Sequence, residues 1–181
     1  SSAIRPSNLI QVFAFADDYS FGILQSAAHW QWFVAKCGKL KSDFRYSAES
    51  VFDTFPWPQA PGEKQIDAVA ATGREIRRIR DAALATLPGG LRALYRTLDV
   101  PGRNPLRDAH AALDAAVLAA YGFSARKDLL EQLLALNGEV AERLRQQQPV
   151  TAHGVPATHA RPETLLSSDC LGGPESGQSK P

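Results

Sequence analysis

The chain holds 181 residues, 44% apolar and 22% charged, with a formal net charge of +1. That balance suits a globular protein with a core of its own. It excludes a global electrostatic attraction for nucleic acid, so an anion-binding surface must be local. Two cysteines, Cys37 and Cys170, make no disulfide framework, and no C-x-x-C pair offers a structural zinc site. A reducing, cytoplasmic setting is therefore expected, and no apolar run is long enough to span a bilayer.

The sequence contains no methionine and runs almost directly into an apolar segment, so it reads as cut from a longer polypeptide. Leu9 to Phe15, β-branched and aromatic, predicts a buried strand ended by Asp17 and Asp18. Ser20 is placed to cap a helix from about Phe21, with Phe21, Leu24, Ala28 and Trp32 as its stripe and Gly38 as its stop. Residues 43–52 read as extended segments and turns. "VFDTFPWPQ" follows at 51–59, where Pro56 and Pro58 oppose a helix around Trp57.

Residues 63–87 lack proline and repeat Ile66, Val69, Gly73, Ile76, Ala83 and Leu87 at roughly heptad spacing, which predicts a long helix. Pro88, Gly89 and Gly90 break it. A short helix, the turn "DVPGRNP", a helix closed by Gly122 and a last helix from Ser124 or Asp128 to Leu144 complete a small bundle. Residues 149–181 are rich in proline, glycine, serine and threonine and predict a disordered tail. The expected fold is α+β, predominantly α, in three parts: 1–61, 62–148 and 149–181.

Few constellations suggest chemistry. His110 and Asp114 share a helix face, but no second ligand pair accompanies them, and a buried histidine beside its own helix's carboxylate is the simpler reading. Asn137 on the leucine stripe of the last helix reads as a register-setting polar group. Arg74, Arg77, Arg78 and Arg80 fit phosphate contact or, with Glu75 and Asp81 interleaved, a solvated helix face. Lys36, Lys39, Lys41 and Arg45 cluster around a predicted helix end, with Trp32, Phe33, Phe44 and Tyr46 beside them. Cations with interleaved rings suit a phosphate-tracking surface, while a helix C-terminus favours cations through its dipole; the residues alone leave both open. Glycine-rich nucleotide loops, a nucleophile elbow and H-E-x-x-H are all absent.

The string from Asp17 to Gln59 carries an Asp-Asp pair, "FGILQS" (Phe21 to Ser26), His29-Trp30, Arg45-Tyr46 and "FDTFPWP" (Phe52 to Pro58). It resembles the end of the target-recognition region of type IIL, MmeI-like DNA methyltransferases. "LYRTLDVPGRNPLRDAHAALDAAVLAAYGF" is similar to the helical segment that follows in that family, so the resemblance covers about residues 3–148. It implies an enzyme that methylates adenine in a specific DNA site with S-adenosylmethionine. The cofactor loop and the Asn-Pro-Pro-Tyr type motif for the flipped adenine belong to that family's catalytic domain, and neither occurs in this sequence. No catalytic, cofactor-binding or metal-binding residue is therefore expected in this chain.

The expected partners are double-stranded DNA and an upstream methyltransferase domain, with self-association through the helical region as a further possibility. Lys36, Lys39, Lys41 and Arg45 are the expected contacts to the DNA backbone. Phe52, Phe55 and Trp57 are the expected anchors of the chain as it leaves the recognition region. Two other readings stand beside this: a helical protein-interaction module at 63–146 with no DNA role, and a small hydrolase using His29 or His110. The second lacks a nucleophile–base pair.

Overall fold

The computed structural model describes residues 11–40 and 43–170, without the side chains of 39, 40 and 43. Among these residues the chain is predominantly helical, with one small hairpin. The single helix expected from about Phe21 is in fact two, α1 (Asp18–Gln25) and α2 (Ala27–Lys36). Asp17, not Ser20, caps α1: it is extended, and its Oδ1 accepts the Ser20 N–H at 2.6 Å. Ser26 interrupts the helix with ψ 161°, and its hydroxyl donates to Ile23 O at 2.7 Å. Asp114, 87 residues further on, accepts the Ala27 N–H at 2.7 Å and so satisfies a first-turn donor of α2.

Leu9 and Ile10 of the expected strand lie outside the described residues. Residues 11–16 join no ladder among the described residues, but Phe13 and Phe15 pack on Phe52 with ring centroids 5.1 and 6.0 Å away. The only pairing described is antiparallel, β1 (Gly38–Leu40) with β2 (Asp43–Arg45), Lys39 lying opposite Phe44. A π-helical turn at Ala48–Phe52 then leads into the proline segment.

The long helix α3 (Glu63–Leu84) forms as its apolar repeat predicts. The bundle is completed by α4 (Gly90–Arg96), α5 (Pro105–Tyr121) and α6 (Leu129–Arg145). Asn104 Oδ1 caps α5 and Asp128 Oδ1 caps α6. Helices α1 and α3 meet at two glycines. A Cβ on Gly73 would stand 2.8 Å from Asp18 O, and one on Gly22 would stand 2.8 Å from Val69 Cγ1. No side chain fits between these backbones, so both positions require glycine.

One apolar core runs through the molecule. Ile66, Val69 and Ile76 of α3, Leu113 and Val117 of α5 and Leu133 of α6 join Tyr19, Ile23, Trp32, Phe55 and Trp57. Burial of each such side chain contributes about 1.5–3 kcal/mol, so α1, α2 and the segment through Trp57 stabilise the later helices and are stabilised by them.

Residues 149–170 correct the expectation of disorder from 149 onward; 171–181 lie outside the described residues. They form a strap. Thr151 N–H donates to Gln59 Oε1 at 3.0 Å, His153 packs on Phe52 and Trp57, and His159 Nε2 lies 3.2 Å from Asp67 Oδ1. Further on, Leu165 is fully buried and Ser167 Oγ donates to Asp18 Oδ1 at 3.2 Å. The strap's composition cannot support a core of its own, but it needs none, because it is held by polar groups and apolar surface of the body.

Candidate nucleic-acid interface

Of the expected DNA contacts, Lys36 ends α2, and Lys39 and Arg45 lie in the hairpin after it. Arg45 is exposed, and Lys36 lies half-buried with Nζ 4.9 Å from the centre of the Trp32 ring. Neither forms an ion pair among the described residues. The Lys39 backbone is in β1, its side chain is not described, and Lys41 lies outside the described residues. Behind the hairpin stand stacked rings: Phe33 lies 5.5 Å from Tyr46 at an interplanar angle of 23° and meets Phe44 edge-on at 5.7 Å. The Tyr46 hydroxyl and His29 Nε2 are 3.0 Å apart, and His29 Nδ1 lies 3.0 Å from Leu24 O. Burial holds His29 below the ordinary imidazole range and pushes Tyr46 up to about 12. The pair is thus neutral at physiological pH and serves to fix the hairpin on α2.

A cleft of about 790 Å³ opens beside this ring stack, with Phe13, Phe21 and Trp30 among its apolar walls and Arg80, Tyr95 and His110 at its polar end. Arg80 donates to Gln25 Oε1 at 2.6 Å and to the Tyr95 hydroxyl, which also lies 3.0 Å from His110 Nε2. This network links α1, α3, α4 and α5. Burial, and secondarily the Arg80 charge, keep His110 below its ordinary pKa; Asp114 opposes the shift. Burial raises the carboxyl of Asp114 itself, though the Ala27 N–H counters part of that. Asp114 therefore supplements Ser26, the N-cap of α2, by holding the Ala27 N–H, and is not a simple partner for His110. Each histidine meets a tyrosine hydroxyl, His29 that of Tyr46 and His110 that of Tyr95, and no group of three or more metal-ligating side chains occurs among the described residues.

The arginine run of α3 is paired within the chain, with Arg78 alone on an exposed face. Arg77 Nε lies 3.2 Å and Arg74 Nε 3.4 Å from the fully buried carboxylate of Asp18. The Arg77 guanidinium also sits 3.7 Å from the centre of the Phe21 ring. Arg78 forms a two-pronged bond to Glu75, with both distances 2.7 Å. Sequence spacing gave no hint of Asp18 as their partner, because it lies on another helix. Around the exit from this region Phe55 and Trp57 are buried and Phe52 is half-buried. Trp32 Nε1 donates to Val51 O, Asn137 Nδ2 to Thr54 O and the Tyr121 hydroxyl to Pro56 O. Asn137 therefore ties α6 to the proline segment. No helix among the described residues is long and apolar enough to cross a membrane.

Residues 1–59 match the model of the MmeI target recognition domain. DNA methyltransferase A of Bacillus subtilis (strain 168) is 37% identical over 140 residues, which are 76% of this chain and 15% of that protein. A solved structure of the type IIL restriction-modification enzyme MmeI in complex with DNA is similar with a TM-score of 0.61 and 32% identity, over 70% of this chain and 17% of that one. The chain thus spans under a fifth of the length of either relative, and both likenesses reach past residue 59 into the helices. The chain carries an MmeI-like target recognition region of the type IIL restriction-modification family, continued by the helices that pack against it.

Proposed function

We propose that this chain holds and positions duplex DNA for a methyltransferase domain outside it and makes no bond itself. The observation that carries the reading is the match of residues 1–59 to a target recognition domain. Its support is Lys36 and the exposed Arg45, which form no ion pair among the described residues, unlike the internally paired arginines of α3. In this reading residues 1–61 present DNA contacts and residues 62–148 brace them, with Phe52, Phe55 and Trp57 anchoring the passage between the two. Lys36, Lys39, Lys41 and Arg45 contact backbone phosphates. S-adenosylmethionine belongs to the methyltransferase domain of the longer protein, and adenine is the base modified there. The setting is the cytoplasm, where DNA is accessible.

The test is fluorescence anisotropy of a labelled duplex against salt concentration, for the chain and for K36Q, K39Q, K41Q and R45Q. Each lost phosphate contact lowers the salt slope by about one. Unchanged affinity and slope in all four variants at low salt overturn the assignment of these residues. Reading residues 63–146 as a free-standing interaction module finds less support, since α1 and Trp57 complete their core.

A further inference from the structure

We propose that Trp30 is a stacking platform for an unpaired nucleobase of bound DNA. The inference rests on the DNA-positioning reading above and adds a contact of a different kind. Trp32 and Trp57 are 0% and 1% exposed, whereas Trp30 is 58% exposed. A single exposed ring is ordinary, but the exposed Val34 borders the same cleft as Trp30, and a contiguous apolar patch marks a place of contact. Trp30 also belongs to an ordered series. Its ring lies 5.4 Å from Phe33, which stacks on Tyr46 and meets Phe44. That series leads from Trp30 to the hairpin, so stacking and backbone contact are continuous on one surface.

Trp30 lines the 790 Å³ cleft and also a second one of about 310 Å³, between α2 and the start of α6. The indole thus borders open space in both clefts, which a planar ring could enter. Base-on-indole stacking is tolerant of sequence because every base has a π-face. Within a paired duplex those faces are covered by neighbouring bases. The ligand is therefore a base out of the stack, bulged, flipped or single-stranded. Val34 and Leu134 nearby are also exposed, as at a protein interface, but the cation-bearing hairpin at the end of the ring series favours nucleic acid.

The burial of the other two tryptophans makes the test direct, because an external quencher reaches Trp30 first. The full chain is titrated with a paired duplex, with the same duplex carrying a single-base bulge, and with an oligothymidine. Affinity is read by anisotropy and stacking by tryptophan emission. The bulged duplex and the single strand should quench emission, the paired duplex much less. W30L, whose fold is verified by circular dichroism, should bind the bulged duplex roughly tenfold more weakly and the paired duplex as before. If the bulged duplex binds without quenching, or W30L binds it like the parent, the platform is refuted while DNA positioning stands. If no nucleic acid binds at low salt, both fall. Emission that instead tracks protein concentration, with dimers in sedimentation that W30L abolishes, assigns this face to a second copy and overturns the proposal.

Discussion

Two sets of cations sit in one small molecule and have opposite fates. The arginines of α3 find partners within the chain: Arg74 and Arg77 share Asp18, Arg80 bonds Tyr95 and Gln25, and Arg78 holds Glu75 on the exposed face of its own helix. Lys36 and Arg45, at and beyond the end of α2, make no ion pair among the described residues. Both sets are dense in sequence, and α3 has the denser run. The difference teaches that cation density alone does not mark a ligand surface; what marks it is the charge left over after internal partners are counted. The α3 set should therefore govern stability and the hairpin set binding.

The largest effect tests the first half. Asp18→Ala leaves two arginines with no counter-charge and the Ser167 hydroxyl with no acceptor there. Breaking a buried pair from one side costs about 3–5 kcal/mol, and the lower end applies because the Arg74 side chain is 39% exposed. Urea denaturation should give a midpoint well below the parent's with an unchanged slope. A midpoint within error would mean that the arginines of α3 find water as readily as Asp18, and the contrast would fail. Gly73→Ala comes next. Its methyl group meets the carbonyl of Asp18, on the rigid backbone of α1, and such overpacking costs about 2–3 kcal/mol.

The helices of the bundle were legible because their stabilising residues repeat locally: Ile66, Val69, Gly73 and Ile76 trace one face of α3, and Gly122 closes α5 in a left-handed conformation. The split between α1 and α2 was not legible. The glycine of "FGILQSAAHW", Gly22, lies inside α1 and not at the split, and the group that satisfies Ala27 N–H is Asp114, 87 residues away. The same holds for Asp18 and its arginines and for the strap, whose contacts with Gln59, Asp67 and Asp18 are all long-range. At the candidate interface the motif string pointed to the right family, while the exposure of Trp30 beside the buried Trp32 depends on tertiary packing that no spacing discloses.

Asp114→Ala removes the distant acceptor of the Ala27 N–H while Ser26 still caps α2, and should cost about 1–2 kcal/mol, the range for a side-chain acceptor lost at a helix N-terminus. Asp114→Asn keeps an oxygen acceptor and should cost less, which separates the hydrogen bond from the charge. The polar end of the cleft also predicts a pH dependence. Burial holds His29, His110 and His153 below 6.5 in the folded state. Their folded forms bind fewer protons than the unfolded chain does. Their contribution is complete above about pH 6.5 and is lost as pH falls through their folded values. Asp17 and Asp114, whose pKa values are raised from 3.8, act in the opposite sense at lower pH. The melting temperature should fall between pH 7 and pH 5.5, and less so in His110→Gln, where no second cation can form beside Arg80. An equal fall in the variant would remove His110 from the account.

Arg45→Gln should have the smallest effect on the fold and is the sharpest probe of the contrast. The side chain is exposed at the end of β2, makes no ion pair among the described residues and supports no part of the core. Thermal melting should match the parent. Duplex binding should weaken, and the dependence of log affinity on log salt should become shallower by about one. Asp18→Ala, measured at a temperature where it is still folded, should show the reverse: a lower melting point with the salt slope unchanged. A variant at either position that moved both readouts together would show that stability and DNA contact are not divided between these two sets of cations.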